Sequence, residues 1–305
     1  MSSSLGDGPG LKVVVLGGSG FVGSRVCKAL AESGASVTSL SKSGNVPAYG
    51  KDEDWAKEVS WISLDLLSAT DDTIDAAMGE PDAVVCAVGA IGTDPSVLLK
   101  GNGEANVAGF ESAKRAGVKR ISYVSVSDEV ADCQENWLPE FFESYFQGKQ
   151  MAEAAALDAV EGDSSRLCVV RPTFIYGGDS FGLLPPRVTF EYGSGIEELL
   201  SLGIFKSLAD ITPGLIKVAL RPPVNVDSVA AACASAALGS EGAIGKTLDG
   251  AASINAATDQ PTATGLTEAI AWTKEKIGEL YGWAKSEVPK ALEKAQETIE
   301  KTQSK

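Results

Sequence analysis

A glycine-rich turn near the start of the chain constrains its fold more than any other feature. The turn lies between a short apolar run at residues 13–16 and an amphipathic segment at 21–32. Glycines there allow a tight turn and let the backbone approach a pyrophosphate, and the helix N-terminus supplies N–H donors and a partial positive charge. A turn in this context predicts a dinucleotide site. The residues predicted to form it are Gly17, Gly18, Ser19, Gly20, Phe21, Val22 and Gly23.

Short apolar runs alternate with helical segments through the first half of the chain. Runs that are apolar throughout are typical of strands buried on both faces, and helices between them imply parallel crossovers. The pattern predicts an α/β fold with a doubly wound parallel sheet over residues 11–172. The predicted strands are residues 13–16, 36–40, 59–62, 82–88, 120–125 and 167–170, and the predicted helices are 21–32, 102–116 and 141–160.

The alternation ends after residue 172. Residues 173–250 are rich in Gly and Pro with one clear helix at 226–238, which predicts a small C-terminal substrate lobe packed on the sheet. Residues 251–265 are mostly Ala, Thr, Asn and Gly and are interpreted as a linker before a helical tail at 266–305. Residues 1–10 are expected to be a flexible leader, without the pattern of a signal or transit peptide.

The charge balance and the missing histidines exclude several kinds of function. The chain has 26 Lys and Arg against 41 Asp and Glu, a net charge of −15, whereas binding to nucleic-acid phosphates needs clustered Lys and Arg. With 0 histidines, Ser-His-Asp triads, Cys-His dyads and His-ligated zinc are excluded, and no metal site is expected. The cysteines are expected to be mainly buried thiols without a disulfide framework. They are Cys27, Cys86, Cys133, Cys168 and Cys233.

The ends of the next three strands carry the residues that would select the cofactor. An acidic residue at the end of the second strand is typical of NAD sites, but this chain has Ser41, Lys42 and Ser43 there. Two hydroxyls and a lysine suit a 2′-phosphate, so NADP(H) is favoured over NAD(H). After the third strand, Asp65 is placed to bind the adenine amine, beside Leu66. Small residues at the end of the fourth strand would let the cofactor ribose lie close, namely Ala87, Val88 and Gly89.

A tyrosine and a lysine four residues apart are the main catalytic candidates. Tyr145 and Lys149 fall on one face of a predicted helix. A nearby ammonium stabilises tyrosinate, so the lysine is expected to lower the pKa of the phenol and suit it to proton transfer. Lys149 can also bind the ribose hydroxyls. Ser125 and Ser127 follow the fifth strand, where a serine hydroxyl can hold a substrate carbonyl.

Taken in order, these motifs resemble an atypical short-chain dehydrogenase/reductase over residues 11 to about 240. More narrowly, they resemble the branch that contains the Rossmann accessory subunit of respiratory complex I, plastid plastoglobule proteins and a mitochondrial coenzyme Q biosynthesis factor. The resemblance implies an NADP(H)-binding Rossmann fold in a plastid or mitochondrion, peripheral to a membrane and tied to quinones or lipids. It rests on residues 17–23, 65–66, 116–120, 145–149, 171–177 and 222–227.

The same resemblance implies roles for individual residues. The family's active-site Tyr and Lys correspond to Tyr145 and Lys149, and its strand-end Ser to Ser127, with Ser125 as the fallback. Arg171 and Pro172 fall among the cofactor contacts. The expected function is an NADP(H)-dependent oxidoreductase that acts on a hydrophobic carbonyl or quinone-like substrate. The alternative is a non-catalytic, nucleotide-bound structural or assembly subunit of an organellar complex or lipid body.

The tail has an apolar stripe that repeats every 11 residues. Leu266, Ile277, Val288 and Ile299 mark it, and the period is close to that of a straight α-helix. Residues 266–305 contain 7 Lys and 7 Glu, so the tail is neutral, and Pro289 is expected to kink or split the helix. It would dock on its own domain or a protein partner, or lie on a lipid surface with its two Trp residues at the interface. These are Trp272 and Trp283.

Overall fold

Seven parallel strands form one sheet at the centre of the molecule, in the order β11-β6-β5-β4-β1-β2-β3. The computed structural model describes residues 10–132, 140–178, 182–183, 186–187, 189–201 and 220–258. The predicted doubly wound α/β fold is confirmed. The strands are β1 (Lys12–Leu16), β2 (Ser36–Ser41), β3 (Ser60–Ser63), β4 (Ala83–Cys86), β5 (Arg120–Val124), β6 (Leu167–Arg171) and β11 (Thr247–Asp249).

Helices cover both faces of this sheet, so its central strands bury apolar side chains on both faces. Val13 and Val15 of β1 pack into one hydrophobic cluster, whereas Val14 and Leu16 pack into the cluster on the opposite face. The helices are α1 (Gly23–Glu32), α2 (Asp54–Lys57), α3 (Asp71–Met78), α4 (Pro95–Leu99), α5 (Ala105–Arg115), α6 (Asp128–Ala131), α7 (Phe142–Ala159), α8 (Phe190–Leu200), α9 (Val226–Ala237) and α10 (Gly250–Ala256).

Strand order reverses between β1 and β4, and this reversal determines where a ligand binds. From β1 the chain runs outward through β2 and β3, then crosses back to β4 on the other side of β1. The loops that leave the two strands diverge and open a crevice at their carboxyl ends, which is where doubly wound sheets bind their ligands. The glycine-rich turn follows β1 directly, so it lies at this crevice.

The boundary predicted at residue 172 is wrong for part of the lobe. β11 belongs to the stretch 173–250, but it pairs in parallel with β6 as the seventh strand of the main sheet, with Leu248 opposite Val170. Leu248 is buried in the core, which gives the strand its stability. Two small sheets complete the lobe: β7 (Ile175–Tyr176) with β10 (Val224–Asn225), and β8 (Gly182–Leu183) with β9 (Pro186–Arg187).

The start of the predicted linker is also structured. Residues 250–256 form α10, whose Ala251 and Ile254 are buried against the core. The alanines that suggested a linker instead let α10 pack closely on the alanine-rich α9. The rest of the predicted linker, the tail at 266–305 and almost all of the leader lie outside the described residues.

Four cysteines of the described chain are buried free thiols: Cys27, Cys86, Cys168 and Cys233. Cys133 lies outside the described residues. In the described ranges, no helix is long and apolar enough to span a bilayer, and no group of three or more Cys, Asp or Glu side chains is arranged to hold a metal ion.

Candidate nucleotide and reactive site

The turn after β1 forms the floor of a cleft of about 690 Å³ at the crevice. Gly17 has a φ of +82°, a conformation that favours glycine, and its N–H donates to Leu40 O on β2 at 2.7 Å. Gly20 N then donates to Gly17 O at 2.9 Å and closes the turn. The backbone is therefore held tightly between β1 and β2, with Gly17, Ser19 and Gly20 lining the cleft.

The four glycines of the turn have different packing requirements. A Cβ on Gly18 would overlap Ser39 Oγ and lie 2.9 Å from Cys27 Sγ, and one on Gly23 would overlap Gly17 O. These two glycines are needed for close packing of the turn against its own protein. A Cβ on Gly20 would meet only Gly17 O, at 3.0 Å, and would otherwise point into open space. Gly20 is thus the glycine that leaves room for a ligand.

Helix α1 begins at the cleft without a competing anion. Its N-cap residue, Val22, makes no side-chain cap, and its first turn contains no acidic residue. The partial positive charge of the helix end is therefore available to a phosphate. This open N-terminus and the cradle that a Cβ on Gly20 would fill both fit a dinucleotide pyrophosphate.

The residues predicted to select the cofactor lie together at the β2 and β3 end of the cleft. Ser41, Lys42, Ser43, Asp65 and Leu66 all line it. Lys42 Nζ lies 3.0 Å from Asp65 Oδ2, so the two charges predicted to bind separate parts of a cofactor pair with each other. This ion pair lowers the pKa of Asp65.

The two serine hydroxyls differ in what they can offer a phosphate. Ser41 Oγ and Ser19 Oγ are 2.7 Å apart, and Ser19 Oγ donates to Asn45 O at 2.6 Å. That second bond uses the Ser19 proton, so Ser41 donates to Ser19 and its own proton is engaged. Ser43 Oγ accepts from Asn45 N at 3.3 Å, which does not use its proton.

An asparagine that the sequence analysis overlooked holds the opposite wall. Asn102 is buried, and its amide binds both the N–H (3.2 Å) and the carbonyl (2.9 Å) of Ala90, just after the predicted contacts Ala87, Val88 and Gly89. Asn102 lies in a π-helical turn at Lys100–Glu104, where one continuous helix was predicted. Such turns are frequent at functional sites, and a polar asparagine inside an apolar helical pattern was the available signal.

A second cleft of about 410 Å³ adjoins the first and contains the catalytic candidates. The two clefts share Gly20 and the end of β4, so a ligand can extend from one into the other. Tyr145 and Lys149 line the second cleft from α7, and Ser125 lines it from the end of β5. The structure therefore brings together the tyrosine, the lysine and one of the two serines.

Lys149 is buried, with 6% of its surface exposed. Its Nζ donates to Val124 O at 2.9 Å and lies 5.9 Å from the centre of the Tyr145 ring. Burial disfavours the ammonium and lowers the pKa of Lys149 from 10.5 to about 8. Only one of the three ammonium protons is used by Val124, so the others remain for a ligand or for Tyr145.

The expected lowering of the tyrosine pKa is not found. Desolvation raises the pKa of Tyr145 from 10.0 to about 12. The Lys149 ammonium does not offset this, because it is directed at Val124 O and not at the phenol oxygen. The phenol is consequently neutral at pH 7. A neutral phenol can donate a proton but cannot take one, which suits reduction of a carbonyl better than oxidation of an alcohol.

Replacing Lys149 with Met should stabilise the protein at neutral pH. Below a pH of about 8, Lys149 is charged in the folded state, and burying this ammonium lowers the free energy of unfolding. This penalty disappears as pH rises from 8 to 10.5, because the lysine loses its proton in the folded state first. Allowing for the lost hydrogen bond to Val124 O, we expect the free energy of unfolding of the variant to exceed that of the wild type by about 2 kcal/mol at pH 7. This difference should shrink toward pH 10. Thermal unfolding of both proteins at pH 7 and pH 9.5 measures it. A variant less stable than the wild type at pH 7 would contradict this account.

The serine preferred from the resemblance, Ser127, does not line the reactive cleft. It lies in a separate cavity of about 340 Å³ with Glu129, Arg221 and Asp249, while Ser125, the fallback, lines the reactive cleft. The strand ends at Val124, so the chain turns before Ser127 and carries that side chain away.

Ser125 is itself engaged with the protein. Its Oγ donates to Glu153 Oε1 at 2.5 Å, so its single proton is directed away from the cleft. In this arrangement Ser125 offers the cleft lone pairs, which accept hydrogen bonds but cannot hold a carbonyl oxygen.

Arg171 belongs to the same network and lies outside the lining of both clefts. It binds both carboxylate oxygens of Glu153, at 3.0 and 2.5 Å, and its Nη1 donates to Asp128 at 2.5 Å. Its guanidinium is therefore bound to protein carboxylates, whereas the sequence analysis predicted that Arg171 contacts the cofactor. Pro172, the next residue, does line the reactive cleft.

The two unassigned motifs of the lobe have structural roles. Residues 171–177 and 222–227 pair through β7 and β10, and Thr173 Oγ1 donates to Pro222 O at 3.0 Å. Asn225 caps α9 through the N–H of Asp227, whose carboxylate lies 3.2 Å from Arg25 Nε on α1. These contacts tie the lobe to the helix that begins at the nucleotide cleft.

The rim of the reactive cleft is apolar. Ile91 is 59% exposed and Phe174 is 38% exposed, and both line the cleft. The cleft's other polar side chains are engaged, because Asn102 binds Ala90 and Thr173 binds Pro222. Among the described side chains that line the cleft, only Tyr145 and Lys149 retain protons for a ligand.

Comparison with known proteins agrees with this geometry. A family model described as the NAD dependent epimerase/dehydratase family matches residues 13–207, more than half of the chain. An uncharacterised chloroplastic protein of Arabidopsis thaliana is 33% identical over 229 residues, covering 74% of this chain and 71% of the relative. The MIOREX complex component 2 of Saccharomyces cerevisiae is 40% identical over 58 residues, 18% of this chain and 21% of that protein.

Solved structures share the fold at low sequence identity. The UDP-Glc/GlcNAc 4-epimerase of Campylobacter jejuni has a TM-score of 0.53 at 15% identity and covers 75% of this chain and 74% of its own. The UDP-glucuronic acid 4-epimerase of Bacillus cereus, in complex with NAD, has a TM-score of 0.52 at 17% identity and covers 78% of each chain. At these identities the similarity shows a shared fold.

Proposed function

Because the chain belongs to the NAD-dependent epimerase/dehydratase family, we propose that it is an NADP(H)-dependent oxidoreductase that reduces a hydrophobic carbonyl or quinone-like compound. The observation that carries the substrate class is the reactive cleft, which offers a ligand two polar side chains with protons in an otherwise apolar or engaged lining. A compound that presents one carbonyl to these two side chains and is otherwise apolar matches this lining. A sugar, with a hydroxyl on most carbons, would leave many hydrogen bonds unmade.

Three residues of the reactive cleft have distinct roles in the proposed reaction. Bound NADPH would supply a hydride to the carbonyl carbon. Tyr145, whose raised pKa keeps it protonated, donates its proton to the carbonyl oxygen, so an aldehyde or ketone becomes an alcohol. A quinone would first become a hydroxydienone, which tautomerises to the hydroquinone. Lys149 stabilises the tyrosinate left behind and binds the ribose hydroxyls. Ser125 accepts a hydrogen bond in the cleft, since its own proton is bound to Glu153.

NADP(H) is the proposed cofactor because a lysine, and no acid, follows β2. Lys42 and Ser43 both line the cleft where a 2′-phosphate would lie. The family's description names NAD, so the proposed preference for NADP(H) rests on these residues of the chain.

The test is an assay of NADPH consumption with the purified protein. The panel contains lipophilic quinones and aldehydes, with UDP-sugars as the contrasting class. Oxidation of NADPH by the lipophilic carbonyls supports the proposal. Turnover of UDP-sugars alone would overturn the substrate class.

A second function, a nucleotide-bound structural or assembly subunit, is favoured by one observation. Ser125 Oγ donates to Glu153, so the serine that would hold a substrate carbonyl is not available for that role in this arrangement. Protein that retains NADPH but oxidises none with any member of the panel would favour this second function over the first.

We propose an organellar location at a membrane surface, a lipid body or a protein complex. The chloroplastic and MIOREX relatives support this, as does the resemblance to the complex I, plastoglobule and coenzyme Q branch. The tail at 266–305 is the proposed attachment device, since an isolated amphipathic helix gains order from the surface on which it packs.

Truncation after Ala263 should leave a stable, nucleotide-binding protein that no longer associates with its partner surface. Co-sedimentation with phosphatidylcholine vesicles, compared with the full chain, measures lipid attachment. If the surface is lipid, changing Trp272 and Trp283 to Glu should weaken sedimentation of the full chain, and if it is protein these changes should matter less. Retained association of the truncated chain with organelle membranes would refute the attachment role, and loss of NADPH binding would place the tail in the core.

A further inference from the structure

The ion pair between Lys42 and Asp65 lies where the 2′-phosphate of NADPH would bind. Among the described residues that line the nucleotide cleft, the charged ones are Lys42, Asp65 and Lys100. Lys42 follows β2 and Asp65 follows β3, and their side chains meet at 3.0 Å. Lys100 is on the far wall, beside Gly101 and Ala90. The cation available to a 2′-phosphate is therefore already bound to a carboxylate.

The two partners of this pair are held differently. The Lys42 side chain is 80% exposed, and Asp65 is its one ion-pair partner in the described chain. The Asp65 side chain is 30% exposed and is fixed by a second bond, because its Oδ1 accepts from Leu67 N at 3.2 Å. The lysine can swing toward a ligand at small cost, as exposed ion pairs are weak. The carboxylate stays in place.

A 2′-phosphate at this site would meet a fixed negative charge as well as a lysine. To pair with Lys42 it would have to displace Asp65, and the carboxylate would stay beside the site because Leu67 N holds it. Both effects oppose a phosphate and neither opposes the 2′-hydroxyl of NADH, which can donate to a carboxylate. Adenine and pyrophosphate are common to both nucleotides, so their contacts do not enter the comparison.

We propose that Asp65 is a specificity-determining residue that competes with the 2′-phosphate for Lys42 and so limits the preference for NADPH. The proposal deepens the nucleotide-binding part of the proposed function and rests on it. The lysine after β2 favours NADPH, and the carboxylate after β3 reduces that advantage. The chain should therefore bind NADH within a modest factor of NADPH, and the carboxylate should set that factor.

The test is fluorescence titration of NADPH and NADH into the wild type and the Asp65→Asn variant. Asparagine keeps an Oδ1 to accept from Leu67 N but removes the charge. We expect the ratio Kd(NADH)/Kd(NADPH) to rise about tenfold in the variant, and to rise less when Lys42→Met is also present. Because the effect is between exposed charges, it should shrink as salt is raised.

A second pair of ligands removes any contribution from the nicotinamide. Calorimetric titration of ADP-ribose and 2′-phospho-ADP-ribose should give the same shift in ratio. A ratio that is unchanged or lower in Asp65→Asn, with both ligands still binding, would overturn the role of Asp65 alone. Failure of the wild type to bind any of the four ligands would overturn the proposed function with it. If the ratio shifts as expected but the protein reduces no carbonyl, the role of Asp65 in cofactor selection stands and only the proposed reductase activity is refuted.

Discussion

Replacing Gly20 with Val should abolish nucleotide binding while the protein stays folded. A Cβ at this position would meet only Gly17 O, at 3.0 Å, and the branches of valine would extend into the cleft. Gly20 lies where the nucleotide and reactive clefts join, and the pyrophosphate of a dinucleotide must pass there. We expect the Kd for NADPH to rise at least about a hundredfold, with the midpoint of thermal unfolding nearly unchanged.

Two glycines provide matched controls. Gly242→Ala adds a Cβ that would have only ordinary contacts, 3.6 Å from Ala257 O and Ser240 Oγ, away from both clefts, so binding and stability should be retained. Gly18→Ala places its Cβ into Ser39 Oγ and should lower the unfolding midpoint. Wild-type affinity for NADPH in Gly20→Val would show that a dinucleotide does not bind across this turn.

The sheet could be predicted because its strands have to be apolar on both faces. β4 is a continuous apolar run, as is β1 after Lys12, and β5 departs from one only at Arg120 and the buried Ser122. Helices cover both faces of these strands. β11 has no such run: of Thr247, Leu248 and Asp249, only Leu248 is buried hydrophobic. Its place at the sheet edge depends on a pairing with β6 that is distant in sequence, and local periodicity does not report such pairings.

The site was predictable where a residue's role follows from its local context. Tyr145 and Lys149 share a helix face, and the helix brings both to one cleft. Ser125 and Ser127 are two residues apart and equivalent by strand periodicity. Which of them lines the cleft depends on where the strand ends.

Arg171 illustrates the other limit. An arginine at a strand end is suited to a phosphate or to a carboxylate, and its sequence position does not distinguish the two. Glu153, one turn beyond Lys149 on α7, decides the outcome by binding the guanidinium. Such a partner is visible only when the helix is placed over the strand.

Replacing Tyr145 with Phe should remove turnover and leave nucleotide binding almost unchanged. The change deletes the one hydroxyl that donates a proton to the substrate and keeps the ring that packs against Phe142 and Phe146. Proton transfer by a positioned side chain contributes about 10²–10⁴-fold, so we expect kcat to fall by that factor, with the Kd for NADPH within about twofold. A steady-state turnover assay measures kcat, and fluorescence titration of the same preparation measures the Kd for NADPH.

The matched control makes the same chemical change on a neighbouring tyrosine. Tyr123 is fully buried on β5, its hydroxyl has no hydrogen-bond partner in the described chain, and it does not line the reactive cleft. Tyr123→Phe should therefore leave kcat within about twofold of the wild type, although its ring lies 5.1 Å from Lys149 Nζ. Loss of turnover in both variants would mean that the packing around Lys149 matters and the Tyr145 hydroxyl does not. Loss of NADPH binding in Tyr145→Phe would make the phenol a cofactor ligand and contradict its separate role as the proton donor.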